Sequence, residues 1–339
     1  AAKKFIPCEK TNDPVQAMKV GSLEVEGNVF LAPMAGITDV PFRKIVEGFG
    51  VSALWTEMMS CHAVVAAFDK LPDADFMEHV VPVFCQVSGN DPKVMADAAV
   101  ILQEKGAKAI DINMGCPARR IVQKGAGAAL MQNEPLARRI LAAVRRATTL
   151  PLTVKIRSGW DEKNQNASRF AKMLELEGAD GIIVHSRVRS NRHSGPASLS
   201  VIRGVKESVE VPVIGNGGVV DIATARTMLG ETGCDGIMIG RGALGRPWFP
   251  QQVLENLAPS TSEKRPPIPI LKVIQRHYSF AYQRWGIEKT VRRMRKHLGW
   301  YSRGLPYGAE FRERLFRLED PAEIGELVET FFGEAFVEQ

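Results

Sequence analysis

Short apolar, β-branched runs recur along the first two thirds of the chain, at 29–35, 53–59, 81–88, 109–115, 152–159, 181–187, 211–218 and 236–242. Most are apolar on both faces, the pattern of parallel strands with helices on one side and a packed interior on the other. The segments between them read as helices. In 92–106, for example, Val94, Ala98, Ala99 and Leu102 recur at helical spacing behind Asp91, a side chain suited to cap a helix N-terminus. Strand and helix alternating eight times over about 220 residues predict an α/β fold, a closed (β/α)8 TIM barrel. An open doubly wound sheet is the alternative. It carries Gly-x-Gly-x-x-Gly after its first strand, where Pro33-Met34-Ala35-Gly36 stands here. Ahead of the first strand, residues 18–29 alternate around Gly21-Ser22 and Gly27-Asn28, which predicts a small hairpin closing the barrel floor.

The barrel pattern stops near Trp248. Residues 258–269 (APSTSEKRPPIP) are polar and proline-rich, a linker composition. Helical periodicity follows. Ile287, Val291, Met294, Leu298 and Tyr301 form an apolar stripe, while Lys289, Arg292, Arg293 and Lys296 form a basic one on another face. The expected plan is a barrel with its hairpin at 1–257, a linker at 258–269 and a small all-α helical domain at 270–339.

Composition narrows the classes. At 339 residues, 45% hydrophobic and 24% charged, the chain can bury two cores. No apolar run approaches the roughly 18 residues that span a bilayer, and residues 1–7 lack the apolar stretch of a signal peptide. A cytoplasmic monomer without membrane contact is expected. The cysteines (Cys8, Cys61, Cys85, Cys116 and Cys234) are scattered and form no Cys-x-x-Cys pair, so reduced thiols and no metal site are expected. The net charge is +6, and its distribution says more: residues 264–317 hold 14 Lys/Arg against Glu288, Glu310 and Glu313. A charge run is ordinarily a solvated helix face. An excess of this size is the footprint of a phosphate-binding surface, and so of a nucleic acid.

In a (β/α)8 barrel the chemistry sits at the carboxyl ends of the strands. Glycine turns after strands seven and eight, Asn216-Gly217-Gly218 and Gly240-Arg241, suit a phosphate, because backbone N–H groups can approach it closely. One such turn would be only a tight connection; two adjacent ones with an arginine favour a phosphate site, of FMN or of a sugar phosphate. In strand five, Thr153, Lys155 and Arg157 share one face and Val154 and Ile156 the other, which turns Lys155 into the barrel. A buried lysine needs an anionic partner, and the N1–C2=O edge of a reduced flavin is one. His185 can donate to the same edge or serve as a structural histidine. Cys61, Cys85 and Cys234 suit the role of small buried hydrophobes. Cys116 differs: it follows a strand end, precedes Pro117 and opens a loop bearing Arg119, Arg120 and Lys124. A thiol there can act as a general acid, and the nearby arginines favour thiolate, so its protonation is a matter for measurement.

Together LAPMAGITDVPFR (31–43), TEMMS (56–60), DINMGCP (111–117), VKIRSGW (154–160), GNGG (215–218) and GRGALGRPW (240–248) resemble the bacterial tRNA-dihydrouridine synthases. MRKHLGWYSRGLP (294–306) resembles the helical domain of the B-type subgroup. The resemblance spans roughly residues 16 to 320. It implies FMN at the barrel mouth against Ala32, Pro33, Met34, Gln86, Lys155, His185, Asn216, Gly217, Gly218, Gly240 and Arg241, with NADPH as reductant. It also implies hydride transfer to C6 of a uridine, Cys116 as proton donor to C5, Asn113 and Arg187 on the substrate side, and a tRNA held by the helical domain; the basic stripe Lys289, Arg292, Arg293 and Lys296 is the part of that domain expected to reach phosphates. One segment departs from the pattern. Where the family reads close to HGRTR, residues 185–189 are HSRVR, which puts the substrate contacts of Arg187 and Arg189 in question. Two other readings fit part of the pattern: an FMN barrel oxidoreductase of a small molecule, and a non-catalytic RNA-binding barrel.

Overall fold

In the computed structural model, which describes residues 17–67, 78–192, 194–257, 267–333 and 335–337, each apolar run contains a strand. They are β1 Val29–Leu31, β2 Leu54–Trp55, β3 Val83–Ser88, β4 Ala109–Asn113, β5 Leu152–Arg157, β6 Gly181–His185, β7 Val213–Asn216 and β8 Gly236–Ile239. Strands β2 to β8 pair in parallel in chain order, β8 pairs with β1, and a parallel bridge between Phe30 and Ala53 closes the ring. The fold is therefore the barrel and not the open sheet. All strands except β3 stop before their apolar runs do, because the last residues of each run leave the ladder to form the loops of the mouth.

Two apolar layers hold the barrel together. Phe30, Trp55, Phe84, Ile183, Ile214 and Met238 fill the interior, joined by Met18, Val20 and Val25 of the hairpin Met18–Val20/Leu23–Val25. Trp55 stacks on Phe84 with ring centroids 4.3 Å apart, so the lower barrel is packed core and a cavity can open only toward the strands' carboxyl ends. Outside, the helices pack on Leu31, Val87, Ile112, Val154 and Ile156. The covering helices are α1 Val40–Phe49, α2 Cys61–Ala66, α3 Pro92–Glu104, α4 Glu134–Ala147, α5 Ala167–Leu176, α6 Leu199–Ser208, α7 Ile222–Thr232 and α8 Phe249–Leu257. Asp91 caps α3 by accepting from the N–H groups of Lys93 and Val94.

Beyond the barrel come helices α9 Ile270–Tyr301, α10 Gly308–Arg317 and α11 Pro321–Phe332. Ile274, Leu298, Phe311, Leu315, Leu327 and Phe332 form their core, which also takes in Ile45 of α1 and Trp248. Helix α9 is broken at Gly286 (φ 70°, ψ 176°). This corrects one expectation. Val291, Met294, Leu298 and Tyr301 are buried, but Ile287 is 49% exposed, because it is the first residue after the break and faces no neighbouring helix. The barrel and α9 meet closely. Gly245 has φ 75°, and a side chain there would run into the carbonyl oxygen of Trp300. Phe42 packs against His277 and His297, and Nδ1 of His277 lies 3.2 Å from the Tyr301 hydroxyl. Of the expected linker, residues 258–266 lie outside the described residues, as does Cys8; Ile268–Pro269 pairs with Phe336–Val337.

Candidate active site

The mouth of the barrel holds a cavity of about 1390 Å³. Strand β5 sends Lys155 into it from below. All six residues of that strand are buried, and Nζ of Lys155 donates to Oδ1 of Asn216 at 2.8 Å. Burial pulls the ammonium down from its ordinary 10.5 to about 7, and the charge of Arg157 pushes the same way. Arg157, two residues on, is also buried. Its Nε donates to the Gly115 carbonyl at 2.7 Å, and its Nη1 donates to Val188 at 3.1 Å and Arg192 at 2.7 Å. It therefore ties the turn after β4 to the loop after β6. Burial lowers it to about 10, which leaves it charged at neutral pH.

Three neighbouring strands carry a line of polar side chains under the mouth. Asp111 of β4 accepts from Thr153 Oγ1 and from Gln86 Nε2, each at 2.6 Å. Gln86 Oε1 accepts from Asn113 Nδ2 at 2.9 Å. Oδ1 of Asn113 in turn accepts the backbone N–H groups of Gly115 at 3.2 Å and Cys116 at 2.9 Å. Cys116 is half-buried in the cavity wall, close enough to Lys155 and Arg157 to interact with both electrostatically. Burial raises the carboxyl of Asp111 to about 6.

At the opposite side the turn after β7 runs through Gly217 (φ 111°) and Gly218 (φ 86°), backbone that side chains rarely adopt. A Cβ on Gly217 would stand 2.8 Å from Ser186 Oγ and 3.2 Å from Arg187 Nη1. Arg187 is held by Nε donating to the Gly195 carbonyl at 2.9 Å, and burial, then the nearby charge of Arg241, lowers its guanidinium. Two guanidiniums thus flank the glycine turn. Ser186 and Val188, which depart from the family pattern, are both buried. Cys116, Ala32, Pro33, Met34, Gln86, Lys155, His185, Asn216, Gly217, Gly218, Gly240, Arg241, Asn113 and Arg187 all line this one cavity.

Lys289, Arg292, Arg293 and Lys296 do not line it. Lys289, Arg292 and Arg293 are exposed on α9 and Lys296 is half-buried. Lys296 donates to the Gly36 carbonyl of the loop after β1, and Arg293 lies 3.9 Å from the carboxylate of Asp39, which caps α1.

The dihydrouridine synthase (Dus) family matches this chain over residues 30–336. The chain belongs to the dihydrouridine synthase family. A probable tRNA-dihydrouridine synthase of Rickettsia conorii is 40% identical over 324 residues, 93% of this chain and 96% of that one. A tRNA-dihydrouridine synthase B of Pasteurella multocida is 40% identical over 326 residues, again 93% and 96%, and one of Yersinia pestis is 38% identical, covering 93% and 99%. Among solved structures, morphinone reductase in complex with tetrahydroNAD has a TM-score of 0.54 at 11% identity, over 76% of this chain and 93% of that one; it shares the fold.

Within this dihydrouridine synthase fold, some residues take places at the site that their motifs alone do not assign. Asp111 sits inside DINMGCP but below the cavity wall, and Arg157 sits inside VKIRSGW. Trp300, Arg303 and Gly304 bring the helical region into the cavity wall. All three lie in MRKHLGWYSRGLP, so the motif marked the segment but not its place at the mouth.

Proposed function

We propose that this chain is an FMN-dependent tRNA-dihydrouridine synthase, reducing the C5=C6 bond of uridines in tRNA with NADPH as reductant. The relatives are named tRNA-dihydrouridine synthases and are similar to nine-tenths of the chain, which supports the tRNA-dihydrouridine part of this reading. The observation that carries the chemical reading is the convergence of three features in one cavity. They are a half-buried thiol at Cys116, a buried cation at Lys155 and a glycine turn flanked by Arg187 and Arg241.

These residues fit FMN. The left-handed turn at Gly217 and Gly218 leaves no room for a side chain against Arg187 and Ala197, and Arg241 stands near enough to Arg187 to act on its charge, which suits a phosphate. Ala32, Pro33, Met34 and Gly240 make a smooth wall for a flat ring, since Gly240 faces Ala32 and Met34. Gln86, His185 and Asn216 supply hydrogen-bonding groups beside it, and Lys155 supplies the positive charge that the reduced ring needs. When bound, FMN supplies the hydride that adds to C6 of the uracil. Cys116 then gives its Sγ proton to C5. Asn113 spends its oxygen on the Gly115 and Cys116 amides and one N–H on Gln86, which leaves its second N–H for a uracil carbonyl. The uridine has to leave its stack to reach this depth. Outside, Lys289 and Arg292 take phosphates, and Arg293 and Lys296 carry the basic face up to the mouth.

The test is direct. Purified protein is incubated with unmodified tRNA and NADPH, and dihydrouridine is read by mass spectrometry, alongside identification of the chromophore released on denaturation. Dihydrouridine and FMN are expected. A colourless protein that forms none after reconstitution would sink the reading. Activity on a free small molecule but not on tRNA would favour the small-molecule oxidoreductase.

A further inference from the structure

Asp111 is fully buried and does not line the cavity; it reaches the cavity wall through its hydrogen bond from Gln86 and through the charge of Lys155. It stands in register between Gln86 of β3 and Thr153 of β5, so three adjacent strands bring the three side chains to one level. Its chemistry constrains its neighbours. An ionised carboxylate only accepts hydrogen bonds. The Gln86 side chain must therefore present its NH2 to Asp111, as it does at 2.6 Å. That turns Gln86 Oε1 toward Asn113, whose NH2 it accepts at 2.9 Å. The Asn113 amide is fixed in turn, with its oxygen toward the backbone N–H groups of Gly115 and Cys116. The chain is thus anchored at both ends, by the backbone N–H groups of Gly115 and Cys116 at the top and by the carboxylate at the base; without Asp111 the Gln86 NH2 loses its buried acceptor and is no longer held under Asn113.

We propose that Asp111 is a positioning residue: its carboxylate anchors the Gln86 amide and, through Gln86 and Asn113, steadies the turn that carries the Cys116 thiol. This rests on the reading of Cys116 as proton donor. Lys155, whose charge favours the ionised carboxylate, helps to keep the base of the chain an acceptor.

The geometry distinguishes two substitutions. In Asp111→Asn the new amide can point its oxygen at Gln86 and its NH2 at Thr153, whose hydroxyl can turn from donor to acceptor. The relay survives. In Asp111→Leu it does not. Two readouts follow each variant. One is the alkylation rate of Cys116 by iodoacetamide in the flavin-loaded protein, read on the Cys116 peptide by mass spectrometry. The other is single-turnover reduction of tRNA by prereduced enzyme. Asp111→Leu is expected to change the alkylation rate and to slow turnover on the order of tenfold to a hundredfold, with tRNA affinity retained; Asp111→Asn stays within about threefold of wild type. A folded Leu variant matching wild type in both readouts overturns the proposal. Should the Leu variant not fold, Thr153→Val decides the matter. Alone it leaves Asp111 accepting from Gln86 and costs little. Combined with Asp111→Asn it removes the hydroxyl that rescued the relay, so the double variant is expected to lose about fivefold more than the product of the singles. Simple multiplication of the two effects overturns the proposal. The alkylation readout needs neither tRNA nor NADPH, so it stands apart from the test of the tRNA activity itself.

Discussion

Lys155 is a cation held away from water, and its burial works against the fold. Its folded value of about 7 lies below its ordinary 10.5, so between those values the unfolded chain binds the proton more tightly. Below pH 7 the lysine is charged in both states and the full cost of burying charge is present. The cost is relieved as pH rises from about 7 to 10.5. Lys155→Met should therefore raise the melting temperature of the flavin-free protein at pH 7 and flatten its rise with pH, while abolishing dihydrouridine formation. Melting curves from pH 6 to 10 check this, and a profile unchanged from wild type would show that the side chain is hydrated. Cys116 makes the complementary prediction. Cys116→Ala should keep its flavin and its reduction by NADPH, yet reduce tRNA more slowly by about 10²–10⁴, the usual contribution of a general acid. Prereduced enzyme in single turnover is the measurement, and a rate equal to wild type would remove the residue from the mechanism. Cys85, by contrast, is pushed up to about 12 by burial and plays no such part.

At the scale of the element, α9 divides its basic residues by position. Lys289 and Arg292 project from the helix surface, while Arg293 and Lys296 turn toward Asp39 and Gly36 at the barrel mouth. The acidic partner of this stripe comes from the barrel and not from the helix. Burial holds the Asp39 carboxyl up at about 6, and the two cations beside it offset part of that burial. Replacing Lys289 and Arg292 by Ala should weaken tRNA binding without changing flavin content. Each lost phosphate contact should reduce the magnitude of the log–log salt slope by roughly 0.7 to 0.9. Affinities over a salt series decide the point: an unchanged slope would mean that the RNA docks elsewhere.

For the whole molecule, the joint between barrel and helices holds two buried histidines. Burial lowers His277 to about 3, and His297 lies well below its ordinary value for the same reason, with His277 contributing. Both are thus neutral in the folded state, whereas in the unfolded chain they take up protons below about pH 6.5. For His277, stability is complete above that pH and is lost as pH falls toward 3, by about 1.4 kcal/mol per pH unit, and His297 adds to the loss in the same direction. Replacing His297 by Leu should reduce this acid slope. Unfolding followed by circular dichroism between pH 4 and 7 measures it, and an unaltered slope would place the acid sensitivity elsewhere.

Much of this molecule is local and therefore legible from residue order. The strands of the barrel and the cap of α3 follow from spacing and side-chain type, because a strand's pleat and a helix's turn repeat over a few residues. The glycine turn after β7 and the inward face of β5 follow likewise. What the tertiary structure alone decided is which groups meet. Lys296 reaches Gly36 across 260 residues of sequence, and Arg157 collects carbonyls from two loops. Ile287, in stripe with buried residues, is exposed because Gly286 breaks the helix just before it. Asp111 becomes the base of an amide relay only because parallel pairing sets Gln86 and Thr153 on either side of it. Residue order specifies each strand's period, but a hydrogen bond between strands depends on register, and register is settled only when the closed barrel buries its apolar faces together.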